Sequence, residues 1–412
     1  GVNKLLRGTF MMLIGAFVLL HGTFTIHATE VLDSVEAVVD VPVTDLSADV
    51  NNTDLYYDGG TYKGLTWAVY NKASTLRITG VGPMSEEGES LNADSYPWYK
   101  YSSTITTIEI GDEVTNVGMC AFRGMTSLQN VKLGDGITEI KQTSFFGCTS
   151  LNSIEIPSSV KEIEMHSFRG CSKLETLIFE EKSQLEYIGG YSFENCKSLE
   201  EVKIPDKVLT IGEFCFSGCT NLKNVTFGSK LVTLERLAFN SCKISSVVLP
   251  DTIRTIGERA FAFTNIQSIN FPYGLQTIGY HAFEFSKIQG AVVIPDTVIS
   301  LGEGVFYHNY GIKKAEIYAS CDIGENMFYD CPGLEEVIIG DKVTGIGSLA
   351  FAFCDNLTSV TMGSNVGEMG ADVFKDSPIT KFTNYSGNTV YSDNSVYSNN
   401  SNFTMYGWAG ST

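Results

Sequence analysis

Histidine is scarce in this 412-residue chain: there are five, and His21 and His27 fall in the first 28 positions. No C-x-x-C pair and no Cys/His cluster occurs, so the usual zinc ligand sets are absent. Neither a G-x-S-x-G elbow, an H-E-x-x-H pair, a phosphate loop nor a calcium loop can be found. Catalysis needs a nucleophile, base or metal set within reach; the chain is therefore read as no enzyme, with no cofactor and no metal. His166 and His281 each stand two residues before a recurring Phe, five copies apart, which is roughly 24 Å at strand spacing. They cannot share a substrate, His308 stands alone, and each is read as a solvated or capping residue. Basic residues are outnumbered, 28 against 47 acids, for a net charge of −19. Such a chain repels phosphate backbones and anionic lipid, which argues against nucleic acid and membrane-surface partners. The longest apolar run, Phe10–Leu20, is short for a membrane span.

What the chain does have is a repeat. Leu151–Cys171 reads as an apolar triplet (Leu151, Ile154, Ile156), a Pro turn, an apolar pair (Val160, Ile163), a Phe, and a Cys three residues later. The Phe recurs at 122, 145, 168, 193, 216, 239, 261, 283, 306, 328, 351 and 374, at intervals of 22 to 25 residues. A fixed period of this size predicts a solenoid whose units bury their apolar faces only against one another. Each copy supplies a short parallel strand with alternate residues turned inward. Pro157, Pro205, Pro250, Pro272 and Pro295 follow where the strand ends. A second inward segment comes next, often followed by Gly as at Gly257, Gly279 and Gly347, and the Phe fills the back of the coil. The single 25-residue interval places an outward bulge at Glu180–Ser183.

Ten cysteines would suggest disulfides in a small secreted domain. Here seven (Cys148, Cys171, Cys196, Cys219, Cys242, Cys331, Cys354) share one place, which other copies fill with Met125, Thr264, Ser286, Asn309 and Ser377. That tolerance marks a small, weakly polar corner. Stacked side chains run parallel, with a Cβ spacing above the ~3.8 Å a disulfide prefers, so a ladder of free thiols is expected.

Outside the repeats, residues 1–28 carry Lys4 and Arg7 ahead of the apolar run, the layout of an export signal, with Ala28 as a small residue for cleavage. Contact with a membrane is expected only through this leader, if uncleaved. Residues 29–55 are acidic and read as a linker. Residues 56–104 contain strand-rich sequence with a hairpin turn at Asn71–Ser74, and Trp67 and Trp98 are large enough to cap the first coil; a carbohydrate site on the two Trp is the alternative. The repeats run over 105–383. Residues 384–412 form a polar segment and an incomplete terminal coil.

The repeat resembles the BspA-like, Treponema-type leucine-rich repeat, as found in surface proteins of gut Firmicutes; Ser153–Cys171, Glu201–Cys219 and the segment around Ile253–Phe261 carry the likeness. The segment Met405–Thr412 is similar to the family's closing motif. The resemblance implies a leucine-rich-repeat solenoid of about twelve coils behind a small β cap. It also implies a secreted or cell-surface protein that binds extracellular protein or glycoprotein ligands such as host matrix proteins, or other cells. A structural spacer, or the repeat arm of a larger cell-wall-associated protein or hydrolase, is the alternative. The candidate binding face is the outward side of the main strands: Thr107, Glu109, Asn130, Lys132, Ser153, Glu155, Glu201, Lys203, Lys314 and Glu316. It mixes both charge signs and lacks aromatics, so weak, multivalent contact is expected.

Overall fold

The computed structural model describes residues 55–387, 390–391 and 404–407. The leader at 1–28, nearly all of the linker at 29–55 and most of the 384–412 segment lie outside the described residues.

An antiparallel sheet opens the fold: β1 (Tyr56–Tyr62), β2 (Leu65–Tyr70) and β3 (Thr75–Thr79). The β2–β3 turn falls on the Asn71–Ser74 stretch, where Asn71, Lys72 and Ala73 all take positive φ. β3 then pairs in parallel with β4 (Thr107–Ile110), and the sheet passes from cap to solenoid without a break. Trp67 and Trp98 are 5% and 0% exposed. The Trp98 indole donates to the Ala121 carbonyl at 2.9 Å and stacks 6.0 Å from Phe122. The two Trp therefore cap the core and offer no platform for a sugar.

From Phe122 the repeat ring continues the line. Consecutive Phe rings lie 5.0 to 5.7 Å apart and nearly parallel along all twelve copies to Phe374. All are buried. Stacked, offset rings at this spacing add about 0.5–1.5 kcal/mol per pair to their burial. The solenoid is therefore built on one aromatic file.

Two parallel ladders flank that file. The second segments form a continuous nine-stranded ladder from Asn116–Val117 to Ser300–Leu301. Here Gly212 and Gly279 matter for close approach: a Cβ on either would sit 2.5 Å from the backbone of the preceding coil. The main strands are less regular than the period implies. Their ladder runs in register through Thr107, Asn130, Ser153 and Thr176. It then stops, and Glu201–Lys203 pairs only onward with Asn224–Thr226. The break lies at the Glu180–Ser183 insertion. After the isolated Asn224–Ser246 bridge, the ladder resumes at Gln289–Ile294. The intervening copies have lost one residue before the strand: Cys242 is two residues from Ile244, whereas Cys219 is three from Leu222. The copy that carries Gln289–Ile294 has the same short spacing, Ser286 to Ile288, so the lost residue by itself does not break the ladder.

The tight turn around each Phe has its own signature. The residues two before and two after it take positive φ in nearly every copy, as in His166 (60°) and Gly170 (75°), or Tyr191 (58°) and Asn195 (61°). This reversal turns alternate N–H groups along the stack: His166, Phe168 and Gly170 donate to Gly190, Ser192 and Glu194 of the next coil.

Candidate functional site

All ten candidate residues of the strand face point outward, at half-buried or exposed positions. Register brings Thr107, Asn130 and Ser153 into one row and places Glu109 beside Lys132. Arg77 from the cap donates to Glu109 at 2.6 Å. Lys314 bridges Glu316 at 3.0 Å and Glu336 at 3.3 Å. The face is divided, however, among three sheets. Thr107–Glu155 belong to the first, Glu201 and Lys203 to the short pair beyond the break, and Lys314 and Glu316 to the last. At the break, Leu177, Ile178, Val202 and Lys203 line a groove of about 370 Å³.

The shared cysteine place has a specific task. Cys148, Cys171, Cys196, Cys219, Cys242, Cys331 and Cys354 donate from Sγ to the carbonyl of the Phe in the preceding coil, at 3.1 to 3.4 Å. In three of the five other copies the bond remains: Ser286, Asn309 and Ser377 reach the same carbonyls at 3.1, 2.7 and 2.8 Å, whereas Thr264 donates to the Phe261 carbonyl of its own coil at 2.8 Å and Met125 has no donor. The column selects for a small donor, which is why hydroxyl and amide replace thiol. All ten cysteines are free. Burial pushes the Cys148, Cys219 and Cys354 thiols up to about 12, so they stay protonated and inert. Half-buried Cys321 is raised to about 11, again by burial.

Two charged groups stand out. Lys141 is buried among Glu87, Glu139 and Glu164, at 3.1, 2.8 and 3.0 Å. Burial opposes its charge, but the three carboxylates outweigh that and hold its pKa above the ordinary lysine value. His281 corrects its expected reading as a solvated or capping residue: it is 7% exposed, lies between Tyr280 and Tyr307, and has Nδ1 3.0 Å from Glu284. Burial lowers its pKa. His166 stacks 4.7 Å from Tyr191, and His308 meets Asp330 at 2.6 Å. Among the described residues no group of three or more His, Cys, Asp or Glu is placed to hold a metal ion. No described helix is long and apolar enough to cross a membrane.

Aromatics absent from the strand face gather on the turn edge. His166, Tyr191 and Phe214 stack at 4.7 and 4.6 Å, and Phe263, Phe285 and His308 at 5.2 and 4.5 Å. All six rings sit on residues at positive φ, between 50° and 60°. A side chain with a Cβ costs about 1–2 kcal/mol there. Gly124, Gly147, Gly170 and Gly218 occupy the place of Phe263 and Phe285 in earlier coils. The sequence signal was the replacement of a recurring Gly by Phe.

These features define a leucine-rich-repeat solenoid with a buried aromatic file. The profile of the BspA type leucine rich repeat region matches residues 95–208, 186–313 and 290–404, in six copies, and the chain belongs to that family. A leucine-rich repeat protein of Bacteroides ovatus has a similar structure: TM-score 0.61, 22% identity, over 87% of this chain and 90% of that one. A leucine-rich repeat protein of Eubacterium ventriosum aligns over 80% of this chain and 96% of its own, at 19% identity and TM-score 0.48. The pneumococcal vaccine antigen PcpA aligns over 85% of each chain, at 22% identity and TM-score 0.46. No curated protein matches the sequence.

Proposed function

We propose that the chain is an exported, non-catalytic binding protein, secreted or held at the cell surface, that adheres to extracellular proteins or glycoproteins. The observation that supports this reading is the rows of outward side chains, Thr107–Asn130–Ser153 in the first main-strand sheet and Lys314–Glu336 in the last, each held in register by parallel pairing. Rows repeated at about 4.8 Å suit extended, multivalent contact. The leader-like residues 1–28 support export, and the surplus of acid favours partners with basic patches. The test is binding of the full chain to immobilised fibronectin, fibrinogen and mucin. Saturable binding that weakens in K132E/K203E supports the reading; binding to none of the three at low salt removes it for those ligands.

A further inference from the structure

We infer that the C-terminal half of the turn edge takes arginine side chains from a partner protein. The inference deepens the binding reading above by naming the partner's chemistry and moving its anchor off the strand face.

The N-terminal half displays the mode of contact with the chain's own residues. The Arg123 guanidinium lies 5.2 Å from the Phe146 ring, and that of Arg169 lies 5.8 Å from Phe146 and 5.4 Å from Tyr191. Arg236 covers Phe214 at 5.1 Å, and Arg259 covers Tyr280 at 5.1 Å. Three of these four also pair with a carboxylate: Arg169 with Glu194, Arg236 with Glu258, and Arg259 with Glu284. Ring face plus carboxylate is the recurring socket.

Arg259 is the last arginine in the chain. The aromatics do not end with it. Phe263, Phe285 and His308 form one stack, Tyr307 and Tyr329 another at 5.0 Å, and Phe353 packs 5.1 Å from Tyr329. Phe263 is 48% exposed and Phe285 37%. In later coils the same turn place holds Asp330, Phe353 and Asp376 in that order, so Phe353 lies between two carboxylates, of which Asp330 also meets His308 at 2.6 Å. Exposed Phe at a strained position where Gly is the alternative calls for a use. Aromatic faces beside carboxylates favour guanidinium over ammonium, because the planar cation stacks and forks where a compact one does neither. The net charge of −19 adds attraction for a basic partner.

The test measures the full chain against immobilised nona-arginine and nona-lysine peptides, equal in charge, at about 0.15 M salt. Wild type should bind nona-arginine about fivefold more tightly than nona-lysine. F263G/F285G should lose that preference while its nona-lysine binding is unchanged. Gly already serves this turn place at 124, 147, 170 and 218, and a thermal melt checks the fold; F353G is the second variant should the double one misfold. Equal affinity of wild type for both peptides, or a preference that survives these substitutions, overturns the inference. Arginine preference without binding to any matrix protein would sink the adhesion reading and leave this one standing. Matrix binding by wild type with no arginine preference would do the reverse.

Discussion

Phe216 lies at the middle of the aromatic file, fully buried, with Phe193 and Phe239 stacked at 5.2 Å on either side. Truncating it to Ala removes a core ring and two ring–ring contacts. Such a change costs roughly 3–5 kcal/mol where the surroundings cannot collapse. Collapse is resisted here, because the backbones of adjacent coils are tied by the hydrogen bonds of Phe214, Phe216 and Gly218 to Arg236, Ala238 and Asn240. Stacked repeats communicate only through their neighbours, so the loss should also uncouple the coils on either side of 216. Urea unfolding followed by circular dichroism should show a lower midpoint and a shallower transition, and peptide-resolved hydrogen exchange should find the coils around 193–239 opening first. The matched control is Phe285→Gly, also an aromatic in the repeat but half out in solvent at φ 50°. There two lost stacks, about 0.5–1.5 kcal/mol each, are offset in part by relief of about 1–2 kcal/mol of backbone strain, so the cost should be far below that of Phe216→Ala. A cost below about 1.5 kcal/mol for Phe216→Ala, or one no larger than that of Phe285→Gly, would refute the claim that the Phe file is the core.

Lys141→Gln leaves Glu139 and Glu164 facing each other without their cation. It should destabilise by about 2 kcal/mol at neutral pH, less than for a fully buried pair because Glu87 and Glu139 remain hydrated, with the loss shrinking as acid neutralises the carboxylates; a pH-independent loss would contradict this account. His281 has a folded pKa lowered by burial, so its contribution is fully present above the unfolded value near 6.5 and is lost as pH falls through the folded value. Thermal melts between pH 7.5 and 5 should show stability declining with acid, and His281→Gln should flatten that slope. Thiol titration of the denatured, unreduced chain should find ten reactive groups; in the native chain Cys321 should react first, since the other nine are buried. A near-zero denatured count would overturn the thiol ladder.

Much of the fold could be read from spacing. The twelve Phe positions place a file, the inward triplets place strands, and a column that accepts Cys, Ser, Thr and Asn marks a corner with little room. Register between coils follows from near-identical repeat length; the main-strand ladder breaks beside the Glu180–Ser183 insertion, while the second-segment ladder passes both length changes unbroken. The partner of the corner donors was not legible, because the Phe carbonyl that Cys219 meets belongs to residue 193 of the coil before. The burial of His281 was equally hidden: it depends on Tyr307 in the next coil and on Glu284 in its own turn.

The sequence by itself determined that the chain is a stack of coils, since none of its short apolar units can cover its own face and all present the same one. Only the tertiary structure decided which surface the stack offers. The conformation of the Phe turn, and with it the exposure of Phe263 and Phe285, depends on peptide planes turned to bond the next coil. Such bonds exist only once the neighbour is in place.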